Sequence, residues 1–87
     1  MKVTLEEIKQ VFDDLITKKK PREELSNWAL IRQAAEDRED LEYDPLNQEE
    51  KIWKAISYLT GIDLLDFDGE YLHSIENFID FKNELNL

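Results

Sequence analysis

Cysteine is absent from the chain, which removes disulfide bridges and thiolate metal sites together. Glycine and proline occur only twice each; there is no glycine-rich phosphate loop, and no serine or cysteine nucleophile motif. A single histidine, His73, leaves little from which to assemble a metal centre or an acid–base pair. No window approaches the roughly 18 apolar residues of a membrane span, and the start Met1–Glu7 has neither a long apolar run nor a small-residue cleavage site. The expectation is a cytoplasmic protein. Positive charge is scarce too: 11 basic residues stand against 21 acidic ones, for a net charge of −10. Nucleic-acid affinity depends mainly on Lys and Arg neutralising phosphates, so this balance predicts no nucleic-acid partner and favours a basic protein, drawn in by the field.

What the chain does have is ring-bearing and amphipathic. Nine aromatic side chains among 87 residues supply a core and argue against disorder, in spite of 37% charged residues. One domain spanning 1–87 is expected, and at this size it buries only a little over about 60% of the surface its unfolded chain exposes. The expected fold class is all-α, a compact four-helix arrangement. Thr4 and Glu7 have capping-box spacing and Val3 with Ile8 that of a hydrophobic staple, predicting a helix over 5–18 whose stripe is Leu5, Ile8, Val11, Phe12, Leu15 and Ile16. Lys18, Lys19 and Lys20 follow, with Arg22 close by. They read as a solvated helix end opposing the macrodipole, with anion binding as the alternative.

Pro21 suits the first position of a second helix over 21–37, with Leu25, Trp28, Ala29, Ile31 and Ala35 inward, Arg32 at the border and Leu30 outward. Asn47 and Glu50 suggest a cap for a third helix over 48–59, built on Ile52, Trp53, Ile56 and Leu59, and Gly61 is expected in a left-handed conformation just beyond it. Ser74 is expected to cap a fourth helix over 75–85, with Ile75, Phe78, Ile79 and Leu85 on one face. Trp28, Trp53, Ile56 and Phe78 should share one core.

Two connectors carry the remaining information. Residues 36–44 hold six carboxylates against one arginine. They are expected to be the most acidic surface of the molecule, and Glu39, Asp40, Leu41, Glu42, Tyr43 and Asp44 are candidates for partner binding, with Leu41 and Tyr43 as apolar anchors. Residues 61–73 combine carboxylates with large apolar side chains. That mixture predicts a segment folded back over the body, with Tyr71 and Leu72 packed and Asp68-Gly69 as a turn. Asp66, Asp68 and Gly69 match positions 3, 5 and 6 of a calcium loop, but Leu64 and Ile75 fall where its first and twelfth ligands belong, so no metal site is assigned.

Arg22–Ala29, Ile52-Trp53, Gly61-Ile62-Asp63-Leu64 and Asp68-Gly69-Glu70-Tyr71-Leu72-His73 together resemble a family of small uncharacterised bacterial proteins, over most of residues 20–82. That family is similar in size, acidity and helix content to toxin-immunity proteins, including the colicin D immunity type. The resemblance implies a compact helical fold with no established catalytic residues. The expected function is therefore a non-catalytic protein-binding module that needs no cofactor and masks a basic surface, such as that of a toxin nuclease. The alternatives are a regulatory or assembly protein of unknown partner, and an acid–base or metal-dependent enzyme using His73 and nearby carboxylates. Charge is unevenly spread along the chain: residues 1–22 carry +2 and residues 23–87 carry −12.

Overall fold

The computed structural model describes residues 1–87. Its elements run β1 (Lys2–Thr4), α1 (Leu5–Ile16), α2 (Arg22–Asp37), β2 (Glu42–Asp44), a 3-10 turn at Leu46–Gln48, α3 (Glu49–Leu59) and α4 (Ile75–Glu84). The four helices lie within two residues of their expected bounds. The strands were not expected, and they correct an all-α fold to a mostly helical one with a two-stranded parallel sheet. Val3 pairs with Tyr43, Lys2 with Glu42 and Thr4 with Asp44. Each strand is three residues of polar, apolar, polar. Only Val3 and Tyr43 turn inward, at 0% and 9% exposure, so the two-residue alternation that announces a strand has a single apolar member in each.

Helix α1 starts as its side chains dictate. The Thr4 hydroxyl accepts from the Glu7 amide while the Glu7 carboxylate accepts from the Thr4 amide, which satisfies two orphan donors at once. Ser74 and Asn77 repeat the arrangement at α4. Helix α3 has no side-chain cap; the 3-10 turn leads into it instead of Asn47. Pro21 lies one residue outside α2, as its N-cap. At their other ends α1, α2 and α4 close in Schellman motifs, with Lys18, Glu39 and Asn86 at φ 60, 58 and 58°. The amides of Lys19, Asp40 and Leu87 each reach back five residues, to the carbonyls of Asp14, Ala35 and Lys82. Gly61 takes no left-handed conformation. Gly69 does, at φ 78°.

Fourteen buried residues form the core, among them Phe12, Leu15, Leu25, Ile52, Ile56, Leu59, Ile62 and Phe78, with Trp28 and Trp53 half-buried against it. Helix α2 meets α3 through small side chains: Ser26, Ala29 and Ala55 are essentially sealed from water, and the Ser26 hydroxyl donates to the Thr60 carbonyl at 3.0 Å. Ile31, expected inward, is 45% exposed, because the stripe Leu25-Ala29-Arg32 advances at helical period past the other side. Arg32 fills the border, its guanidinium 3.8 Å from the centroid of the Trp28 ring. Phe81 stacks on Tyr58 at 3.8 Å, joining α4 to α3.

The connector 61–73 departs most from expectation. Ile62 is fully buried, yet Leu64, Leu65, Tyr71 and Leu72 are exposed and Phe67 projects freely into water. Residues 64–72 make a small hairpin, closed by the Leu65–Tyr71 bridge. Two consequences for stability follow. Phe12→Ala, which empties a sealed site, is expected to destabilise by about 3–5 kcal/mol, whereas Leu72→Ala should stay within about 0.5 kcal/mol. Urea denaturation of the two variants checks this, and comparable losses would contradict the burial described.

Candidate functional site

The segments that flank helix α2 differ in charge, although its own first turn holds Glu23 and Glu24 beside Arg22. Sixteen residues at 1.5 Å each separate them by about 24 Å. Its C-terminal end carries the acidic run, next to the sheet; its N-terminal end follows the lysines. Among the expected partner-binding residues, Glu39, Asp40, Glu42 and Asp44 are exposed, while Leu41 is half-buried. Tyr43 is not a surface anchor. Its ring belongs to the core and its hydroxyl donates to Glu36 at 2.8 Å, so burial and that carboxylate push it far above the usual phenol range. The aromatic that sequence reasoning offered as a contact instead fastens the strand to α2.

At the opposite end Lys18, Lys19 and Lys20 form an exposed corner between α1 and α2. They lie beyond the last turn of α1, so they are not the helix-dipole cations expected of them. The left-handed Lys18 makes the corner turn sharply, and with Pro21, Tyr71 and Ile75 the three lysines border an open groove of about 510 Å³. Lys20 lies 3.7 Å from Asp14, a carboxylate that is 5% exposed and also accepts from Gln10. Asp13 pairs with Lys82 at 2.8 Å. Those carboxylates are thus engaged, and neither Lys18 nor Lys19 has a carboxylate within ion-pair distance. The start of α2 has no side-chain cap at Pro21, and its first turn carries the carboxylates of Glu23 and Glu24 beside the lysines.

Arg22 is spoken for. Its guanidinium sits 4.1 Å from the Tyr71 ring centroid and 4.7 Å from that of Phe78, and it donates to the His73 carbonyl. Tyr71 in turn donates to Glu23, holding that carboxyl below its ordinary value of 4.5. This clamp ties the hairpin to the head of α2. His73 packs beside Tyr58 with ring centroids 5.3 Å apart; no three His, Asp or Glu side chains are grouped to hold a metal ion. Asp66, the best of the calcium-like residues, spends its carboxylate on the amides of Asp68 and Glu70. No helix is long and apolar enough to cross a membrane.

Comparison with known proteins bears on the two charged ends. The family described as YxzC DNA-binding protein matches residues 2–85. The uncharacterized protein YxzC of Bacillus subtilis (strain 168) is 35% identical over 60 residues, covering 69% of this chain and 43% of that protein. The chain thus spans less than half the length of that curated relative. No solved structure matches. These findings overturn the toxin-immunity resemblance, the basic protein partner and the exclusion of nucleic acid. Net charge sums over the whole molecule, whereas a phosphate meets only the surface within a Debye length of it, so an overall −10 does not by itself exclude phosphate contact.

The clamp can be tested without any ligand. Tyr71→Phe removes the hydroxyl that lowers the Glu23 carboxyl, so its pKa should rise toward 4.5 in a carbon-detected NMR titration. An unchanged value would show that the bond is not made in solution.

Proposed function

The chain belongs to the YxzC DNA-binding protein family, and from that premise we propose that it binds duplex DNA end-on, through the Lys18–Lys20 corner and the uncapped start of α2. The observation that carries this reading is that Lys18 and Lys19 are exposed and unpaired at the corner just before α2, where cations can reach phosphate oxygens past the first-turn carboxylates Glu23 and Glu24. Net charge does not forbid it. At physiological salt the Debye length is about 8 Å, so a carboxylate some 24 Å away along α2 is felt at about one twentieth of its unscreened strength. The acidic end then orients the approach, turning away from the duplex while the lysines turn toward it. On this reading the protein works in the cytoplasm, with the DNA, as a binding protein that performs no reaction.

Two or three phosphate contacts make for weak binding with little sequence readout, since phosphate contacts position a protein without reading bases. Non-specific affinities of this kind fall at about 10⁻⁴–10⁻⁶ M at physiological salt. Fluorescence anisotropy on a labelled duplex, between about 50 and 200 mM salt, should give a slope of log K against log salt of roughly −2 to −3. Replacing Lys18, Lys19 and Lys20 together by Gln should bring that slope close to zero. Neutralising Glu39, Asp40 and Glu42 should change affinity less than threefold at about 150 mM salt, where their field is screened. Binding untouched by the lysine substitutions would overturn the reading.

A further inference from the structure

The open groove of about 510 Å³ beside the lysine corner is lined by two kinds of chemistry. Lys18, Lys19 and Lys20 contribute exposed positive charge. Tyr71 and Glu23 contribute an aromatic ring and a carboxylate, joined by the bond from the Tyr71 hydroxyl. The lysines suit a phosphate, and the ring suits a flat, neutral group. Tyr71 is 42% exposed and stacks on no other aromatic ring. Arg22 covers one of its faces, with the guanidinium carbon 4.1 Å from the ring centroid, which leaves the opposite face for a ligand. The ring is also held in place. Tyr71 bridges to Leu65 across the hairpin, the neighbouring Leu72 amide donates to the Leu64 carbonyl at 2.9 Å, and the hydroxyl is fastened to α2 through Glu23. A group that stacks on so fixed a platform forfeits little entropy in doing so.

We propose that this groove takes a single unpaired nucleotide, with its phosphate on Lys18 and Lys19 and its base stacked on Tyr71. The proposal rests on the reading of Lys18–Lys20 as the DNA contact, and extends it from the duplex backbone to an unpaired nucleotide, whether in a strand or free. Charge within the groove argues for that occupant. Glu23 and Asp63 both bear on the Tyr71 hydroxyl, so a second run of phosphates is repelled from the ring, whereas a neutral base is not. Glu23 spends Oε1 on Tyr71, and a carboxylate has room for further donors, such as the exocyclic amino groups of cytosine and adenine. Inside a duplex the faces of a base are covered by its neighbours, so only an unpaired one can offer a face to the ring. The volume agrees, lying within the range of about 300–1,000 Å³ typical of sites for one small ligand.

The experiment is fluorescence anisotropy of the full chain with three labelled forms of one duplex, at about 50 and 200 mM salt. One form is blunt, one carries a short single-stranded overhang, and one carries the same overhang built of abasic sites. The abasic overhang keeps every phosphate and loses the bases, so the base-bearing overhang should bind more tightly than it by roughly 5- to 100-fold. That ratio should hold as salt rises, while affinity for all three forms falls, because stacking is not screened. Tyr71→Ala should bring the ratio to about one, and Tyr71→Phe, which keeps the ring and gives up only the hydroxyl, should keep most of it. In NMR spectra the Tyr71 ring protons should move upfield with the base-bearing overhang and stay put with the abasic one. Deoxycytidine monophosphate that moves the same protons and displaces the overhang would make a free nucleotide an occupant; protons moved by the overhang alone would make a strand the source. Equal affinity for the two overhangs, or a preference that survives Tyr71→Ala, would overturn the inference and leave lysine-dependent binding of the blunt duplex standing. No binding of any duplex form or of the free nucleotide would overturn both readings.

Discussion

A helix of sixteen residues cannot bend its ends together, and that rigidity governs how charge is distributed in this protein. Helix α2 holds its position because Leu25, Ala29 and Ala35 are sealed in the core and Ser26 is bonded across to the end of α3. Once it is fixed, the lysine corner before it and the acidic run after it are held about 24 Å apart. The sheet anchors the acidic end through Tyr43, and the Arg22 clamp anchors the other end to the hairpin and α4.

This distribution makes a net charge of −10 a poor guide to partners. Coulomb interactions between exposed groups fade over about 8 Å at physiological ionic strength, so each end of the molecule has in effect its own charge. Of the carboxylates near the lysine corner, Asp14 is engaged by Lys20 and Gln10 and Asp13 by Lys82, whereas Glu23 keeps its charge under the Tyr71 hydroxyl and Glu24 is exposed in the first turn of α2. On the proposed reading a ligand at that corner meets two lysines beside the carboxylates of Glu23 and Glu24, a modest site suited to backbone contact more than to reading bases.

The helices were legible because each rests on a stripe of several apolar residues with a local start signal, and Thr4 with Glu7 and Ser74 were read at their correct positions. The strands were not legible, because three residues bearing one apolar side chain carry no period. Tyr43 looked like a surface anchor because it sits among carboxylates. Only the pairing with β1, forty residues away, shows that it faces inward. The burial of Asp14 is likewise invisible in local sequence, since the lysine that covers it lies past a left-handed turn. The hairpin failed differently: a run rich in leucine and phenylalanine implies burial on transfer energies alone, yet backbone bonds to Asp66 and the clamp at Arg22 hold it outside. Lys18–Lys20 were visible from the start, read as a solvated helix end with anion binding as the alternative.

The claim at the centre of this account is that one end of the molecule meets DNA and the other does not. Amide chemical shifts followed during titration with a short duplex at low salt test it residue by residue. The account predicts changes concentrated at residues 17–24, with residues 36–44 unmoved and the whole effect reversed by added salt. Shifts centred on 36–44, or a spectrum unchanged by excess duplex, would contradict it.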